Sequence, residues 1–196
     1  MEFIRDGSGK GYVARVTTEN RLATESKARP SEEVEAETGF AFILHGECHT
    51  AAATSGGLMY LTNTSTTKEI VVTRLYFDPH VITPTDLIIT QVREPIASGG
   101  TDISSTGIIQ KNFGVAPTAI GSLVISDASS DMTYTGGRQY HSFGLKNMTS
   151  QSRNMMGTNI IAPNTTILWG WKTAGGGNAT DGEVVAISVN CFTRDI

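Results

Sequence analysis

The densest run of chemically capable side chains is His45-Gly46-Glu47-Cys48-His49. Imidazole nitrogens, a thiolate and a carboxylate are the ordinary ligands of zinc and related metals. A closed zinc site needs about four such ligands, usually from two loops. The other histidines, His80 and His141, stand in no repeat of that spacing. On a β-strand, His45 and His49 share a side only if the strand continues through both. The run therefore reads as a strand end carrying polar side chains, with His45, Cys48 and His49 as the sole metal candidates. No bound cofactor is expected.

Other constellations are thinner. The metal-dependent cupin enzymes need a His-x-His pair, and none occurs here. A Gly-x-Ser-x-Gly nucleophile elbow is missing too. The acidic residues of the body fall mostly at expected strand edges and turns, where Asp is a turn former. Ser98-Gly99-Gly100-Thr101-Asp102 and Gly175-Gly176-Gly177-Asn178 lack the Lys-Ser/Thr of a phosphate loop and open no helix. They read as loop tips. Trp169 and Trp171, with Tyr134 and Tyr140 elsewhere, could make a sugar-stacking platform. On alternate positions of a strand they more often fill a core. The expectation is a protein without catalytic activity.

The elements that would hold these residues are strands. Candidates are 40–46, 58–63, 69–77, 86–93, 122–126, 139–145, 159–162, 165–173 and 183–192. Ile167, Trp169 and Trp171 alternate, as do Val185, Ile187, Val189 and Cys191. Period-two patterning buries one face and exposes the other, as in antiparallel sheets. Separators are Gly56-Gly57, Asp78-Pro79, Thr83-Pro84-Thr85, Pro95 to Gly100, Gly136-Gly137, Pro163-Asn164 and Ala174 to Asn178. No long amphipathic helix is evident in the body. The fold class is all-β: an antiparallel two-sheet β-sandwich, a jelly roll by preference. An immunoglobulin-like sandwich is the second choice, and the Cys/Trp spacing disfavours it.

Charge divides the chain. Residues 1–38 carry six Lys/Arg and eight Asp/Glu, although the whole chain has only 15 and 19. A charged N-terminal arm (1–38) followed by a sandwich (39–196) is therefore expected. Within the arm, Gly11 to Val16 could form one short strand, and Ser31 to Ala36 a helical turn or two capped by Ser31. Arg15, Arg21, Lys27 and Arg29 are the arm's candidate partner-binding cations. The net charge of −4 supplies no basic field for nucleic acid. No apolar stretch approaches the ~18 residues of a membrane span. Met1 to Asp6 has no signal-peptide core, so ordinary export is not expected. Two cysteines are too few for a disulfide framework, so buried, reduced thiols are expected.

Five stretches together resemble a family: Val16-Thr17-Thr18-Glu19-Asn20-Arg21-Leu22, Gly39-Phe40-Ala41-Phe42, Leu58-Met59-Tyr60-Leu61-Thr62-Asn63-Thr64-Ser65, Ser98 to Asp102, and Ile160-Ile161-Ala162-Pro163-Asn164-Thr165-Thr166-Ile167. Their layout is similar to that of small virion proteins of tailed bacteriophages, the capsid cement or decoration proteins. The resemblance implies a jelly-roll body behind a charged arm and a homotrimer. It also implies a virion location, with the major capsid protein or other virion proteins as partners. The alternative it leaves is a baseplate, collar or tail-fibre module that recognises carbohydrate.

Overall fold

The computed structural model describes residues 3–5, 13–16, 22–23, 40–81, 87–111, 120–145, 149–180 and 182–196. The chain divides into two compact units, residues 1–30 and 31–196. The smaller unit is a three-stranded antiparallel sheet of β1 (Phe3–Arg5), β2 (Val13–Val16) and β3 (Leu22–Ala23), with β2 in the middle. The sequence suggested one strand here; there are three. Arg15 pairs on one side with Phe3 and on the other with Ala23. Arg21, Lys27, Arg29 and the helical turn expected at Ser31 lie outside the described residues.

The larger unit is an all-β sandwich of two antiparallel sheets. The first runs β10-β4-β16-β6-β14. Its members are β4 (Ala41–His49), β6 (Lys68–Val81), β10 (Ile108–Gln110), β14 (Gln151–Ile161) and β16 (Val184–Asp195). The second follows the path β13-β7-β15-β5-β11-β9. It contains β5 (Ser55–Asn63), β7 (Leu87–Arg93), β9 (Thr101–Asp102), β11 (Gly121–Ile125), β13 (Arg138–Leu145) and β15 (Thr166–Thr173). A ribbon of β8 (Ile96–Gly99) and β12 (Met132–Thr135) joins it where Met132 pairs with Gly57. One helical turn, α1 (Ser104–Gly107), precedes β10.

Alternation explains the layering. In β4, Phe42, Leu44 and Cys48 are fully buried while His45 and Glu47 are exposed. In β16, Val185, Ile187, Val189 and Cys191 are fully buried. They meet Leu61, Leu87, Ile89, Trp169 and Trp171 from the opposite sheet in one continuous core. Phe77 of β6 meets Phe143 of β13 edge-on, with ring centres 5.0 Å apart. The second sheet is also covered on its outer side. There Met132 of the ribbon packs with Val92 and Leu168, flanked by Tyr60, Val124 and Tyr134. A sheet buried on both faces loses clean alternation, which is why Leu168, Trp169 and Trp171 are all buried in one strand.

Two expected separators lie inside strands, and a third contains one. Gly56-Gly57 belongs to β5, because a Cβ on Gly57 would meet the Met132 sulfur at 2.6 Å. Asp78-Pro79 belongs to β6. Pairing of β6 with β14 stops at Phe77, so Pro79 lies beyond that partner. The stretch from Pro95 to Gly100 contains β8. Gly136 and Gly137 do separate β12 from β13, with φ of 67° and 78° that favours glycine.

Candidate functional site

The outer face of the first sheet carries a groove of about 790 Å3. Strand register builds it row by row. Ser188 of β16 lies between His45 of β4 and Tyr76 of β6, and Tyr76 pairs in turn with Ser152 of β14. In the next row Ala186 lies between Glu47 and Asp78. In the row on the other side Asn190 lies between Ile43 and Arg74.

A bulge sets which residues reach this face. The β6–β16 register shifts between Asn190 and Cys191, where Thr73 Oγ1 donates to the Asn190 carbonyl at 3.1 Å. One extra residue reverses the phase of a strand. Before it, Ile70 and Val72 point to the core; after it, Leu75 and Phe77 do so. Arg74, Tyr76 and Asp78 are thereby turned outward.

Hydrogen bonds order much of the groove. His45 Nδ1 and Ser188 Oγ are 2.8 Å apart. Ser150 Oγ donates to Asp78 Oδ1 at 2.5 Å, and His80 Nε2 lies 3.5 Å from Asp78 Oδ2. Arg74 Nη1 donates to the Tyr76 hydroxyl at 3.0 Å and so fixes the ring.

The His45–Ser188 contact has the form of a base and a nucleophile, yet its surroundings suit a different use. Acyl transfer requires backbone or side-chain donors aimed at a developing oxyanion. Ser188 sits on the central strand, which is paired on both sides to β4 and β6. Its neighbouring amides serve the ladder. The arrangement is competent to hydrogen-bond a ligand lying on the sheet.

The expected metal candidates separate. The strand does continue through His49, so His45 and His49 point outward. Cys48 points into the core. Burial raises its thiol pKa far above the ordinary value, and its Sγ contacts the Gly46 carbonyl at 3.8 Å. His45 lines the groove, whereas His49 lines a second depression of about 210 Å3 with Thr50, Asp127, Ser130 and Gly182. The acid there, Asp127, is a turn former. Its Oδ1 accepts from Ser129 Oγ at 2.7 Å, Ser129 N at 2.8 Å and Ser130 N at 2.9 Å. The Ser129 hydroxyl foremost, then that of Thr101, holds its pKa at about 2. Among the described residues, no three His, Cys, Asp or Glu side chains are grouped to hold a metal ion.

Trp169 and Trp171 take the core-filling role that their alternation favoured, and so offer no sugar-stacking platform. These rings are 0% and 1% exposed and pack in the core. Tyr140 is half-buried against that core, under the Arg93 guanidinium at 4.7 Å. Tyr76, Asp78, Ser188 and Asn190 were not singled out as site residues from the sequence. Their only signal was that polar residues occupied alternate positions of strands whose adjacency was unknown.

Comparison of the chain with known protein families and with curated proteins found no match.

Proposed function

We infer that this chain is a structural virion protein of a tailed bacteriophage, acting as a capsid cement or decoration protein and assembling as a homotrimer. The observation that carries the reading is the separate β-unit of residues 1–30 ahead of a sandwich of residues 31–196. A small sheet cannot bury much apolar surface by itself and gains stability against a partner. Such a unit is suited to clamp a neighbouring subunit in an assembled lattice.

The strand order supports a jelly-roll body. The runs β4-β16-β6-β14 and β5-β15-β7-β13 draw each sheet from strands at both ends of the sequence, as two interleaved Greek keys do. A protein of this kind needs no catalytic centre. It stabilises the lattice by binding the assembled form in preference to the free subunits, and repeated copies add their effects. Identical copies meeting around an axis would follow the usual closed symmetry of oligomers. The alternative of a baseplate, collar or tail-fibre module loses the tryptophan platform on which its carbohydrate recognition was to rest.

Light scattering tests the assembly reading. A stable species near three times the 20.9 kDa chain is expected. Removal of residues 1–38 is expected to abolish binding to empty capsids while the sandwich stays folded. Undiminished capsid binding after that deletion would sink the arm's role, and a monomer both free and on the capsid would sink the trimer.

A further inference from the structure

The groove on the outer face of the first sheet has no part in the cement reading. We propose that it binds a neutral polyhydroxylated ligand, a short oligosaccharide. Its volume, about 790 Å3, lies within the ~300–1,000 Å3 of small-molecule sites.

The donor set points to hydroxyl groups. Among the described residues, Glu47 and Asn190 have no side-chain partner and face the same space as Ser188 and Ser152. A carboxylate accepts from sugar hydroxyls, and an amide both donates to and accepts from them. Charge argues against the anionic alternatives. Among the described residues no Lys or Arg lines the groove, while Glu47 and Asp78 do. A phosphate, sulfate or nucleic-acid backbone would meet these two carboxylates, and the neighbouring Arg74 is already engaged with the Tyr76 hydroxyl.

Tyr76 supplies the apolar part. It is 37% exposed, unusually so for a large hydrophobic side chain here, and Arg74 holds its hydroxyl. A fixed aromatic ring amid convergent polar groups is suited to the C–H face of a pyranose. Because β6, β14 and β16 are paired strands of one sheet, the ring and hydroxyls are positioned before any ligand arrives.

The test uses the full chain labelled with 15N, titrated separately with maltotriose, chitotriose and mannotriose. At least one is expected to give saturable shifts centred on the amides of Tyr76, Ser188 and Asn190. Tyr76→Ala and Asn190→Ala should each weaken that binding about tenfold. Both positions lie outside the core, and unchanged tryptophan emission would show that each variant stays folded. The proposal fails if none of the three sugars gives saturable shifts. It fails equally if the shifts centre elsewhere or persist in both variants. It also fails if a synthetic peptide of residues 1–38 shifts these amides and the sugars do not, since the groove would then seat an arm. Capsid binding is a separate property, and its failure would leave this outcome unchanged.

Discussion

Asn63 of β5 donates through Nδ2 to the Ile161 carbonyl at the end of β14, at 3.1 Å, joining the two sheets by a side chain. The same nitrogen contacts the carbonyls of Lys68 at 2.9 Å and Ala162 at 3.1 Å. Its Oδ1 accepts from Ser65 N at 3.0 Å. The side chain is fully buried, so it satisfies backbone groups that water cannot reach. Asn63→Ala should cost about 2–4 kcal/mol, from lost bonds and stranded carbonyls. Asn63→Asp should cost at least as much, because it keeps the shape and removes the donors. Thermal melting measures both; a loss within ~0.5 kcal/mol for either variant would contradict the role.

The two tryptophans of the chain are both in the core. Native fluorescence should therefore be blue-shifted and resist iodide quenching until the protein unfolds. Trp171→Ala should destabilise by about 3–5 kcal/mol. Ready quenching of the native protein would show at least one ring to be at the surface.

Stability should fall in alkali through the thiols. Burial raises the pKa of both Cys48 and Cys191 well above their ordinary 9.0, with the Lys111 charge opposing it slightly at Cys191. A group whose folded pKa is raised contributes fully below its unfolded pKa, and loses that contribution as pH rises toward the folded one. Above about pH 9, each buried thiol should remove about 1.4 kcal/mol per pH unit. The variant Cys48→Ala with Cys191→Ala should show a correspondingly flatter decline in denaturant titrations. Identical slopes above pH 9 would refute this account.

All nine strands expected in the body are present, because their apolar alternation is a local property of the chain. The ribbon strand at Ile96–Gly99 has no local signature, since Pro, Ser and Gly around it read as a loop and Ile96 is 74% exposed. The strand at Ile108–Gln110 is too short for a period to register. The arm's β1 and β3 failed for the same reason. The groove was hidden by distance: His45 and Ser188 are 143 residues apart in sequence. Nothing local says that β4 and β16 are neighbours, nor that a bulge at Thr73 turns Tyr76 outward. Cys48 is close to His45 and His49 in sequence, yet strand alternation places it on the opposite face.

The central place of β16 bears on how the protein is made. Phe42 pairs with Cys191, and Val71 with Phe192. As the chain leaves the ribosome, β4 and β6 must wait for a strand translated more than a hundred residues later. Until then, two apolar strands present the very edges that β16 will fill. Unpaired edges of this kind recruit other chains. High-level expression should therefore favour slow synthesis or a chaperone that shields them. A polysome crowded with such half-built sheets is where this protein is most exposed to aggregation.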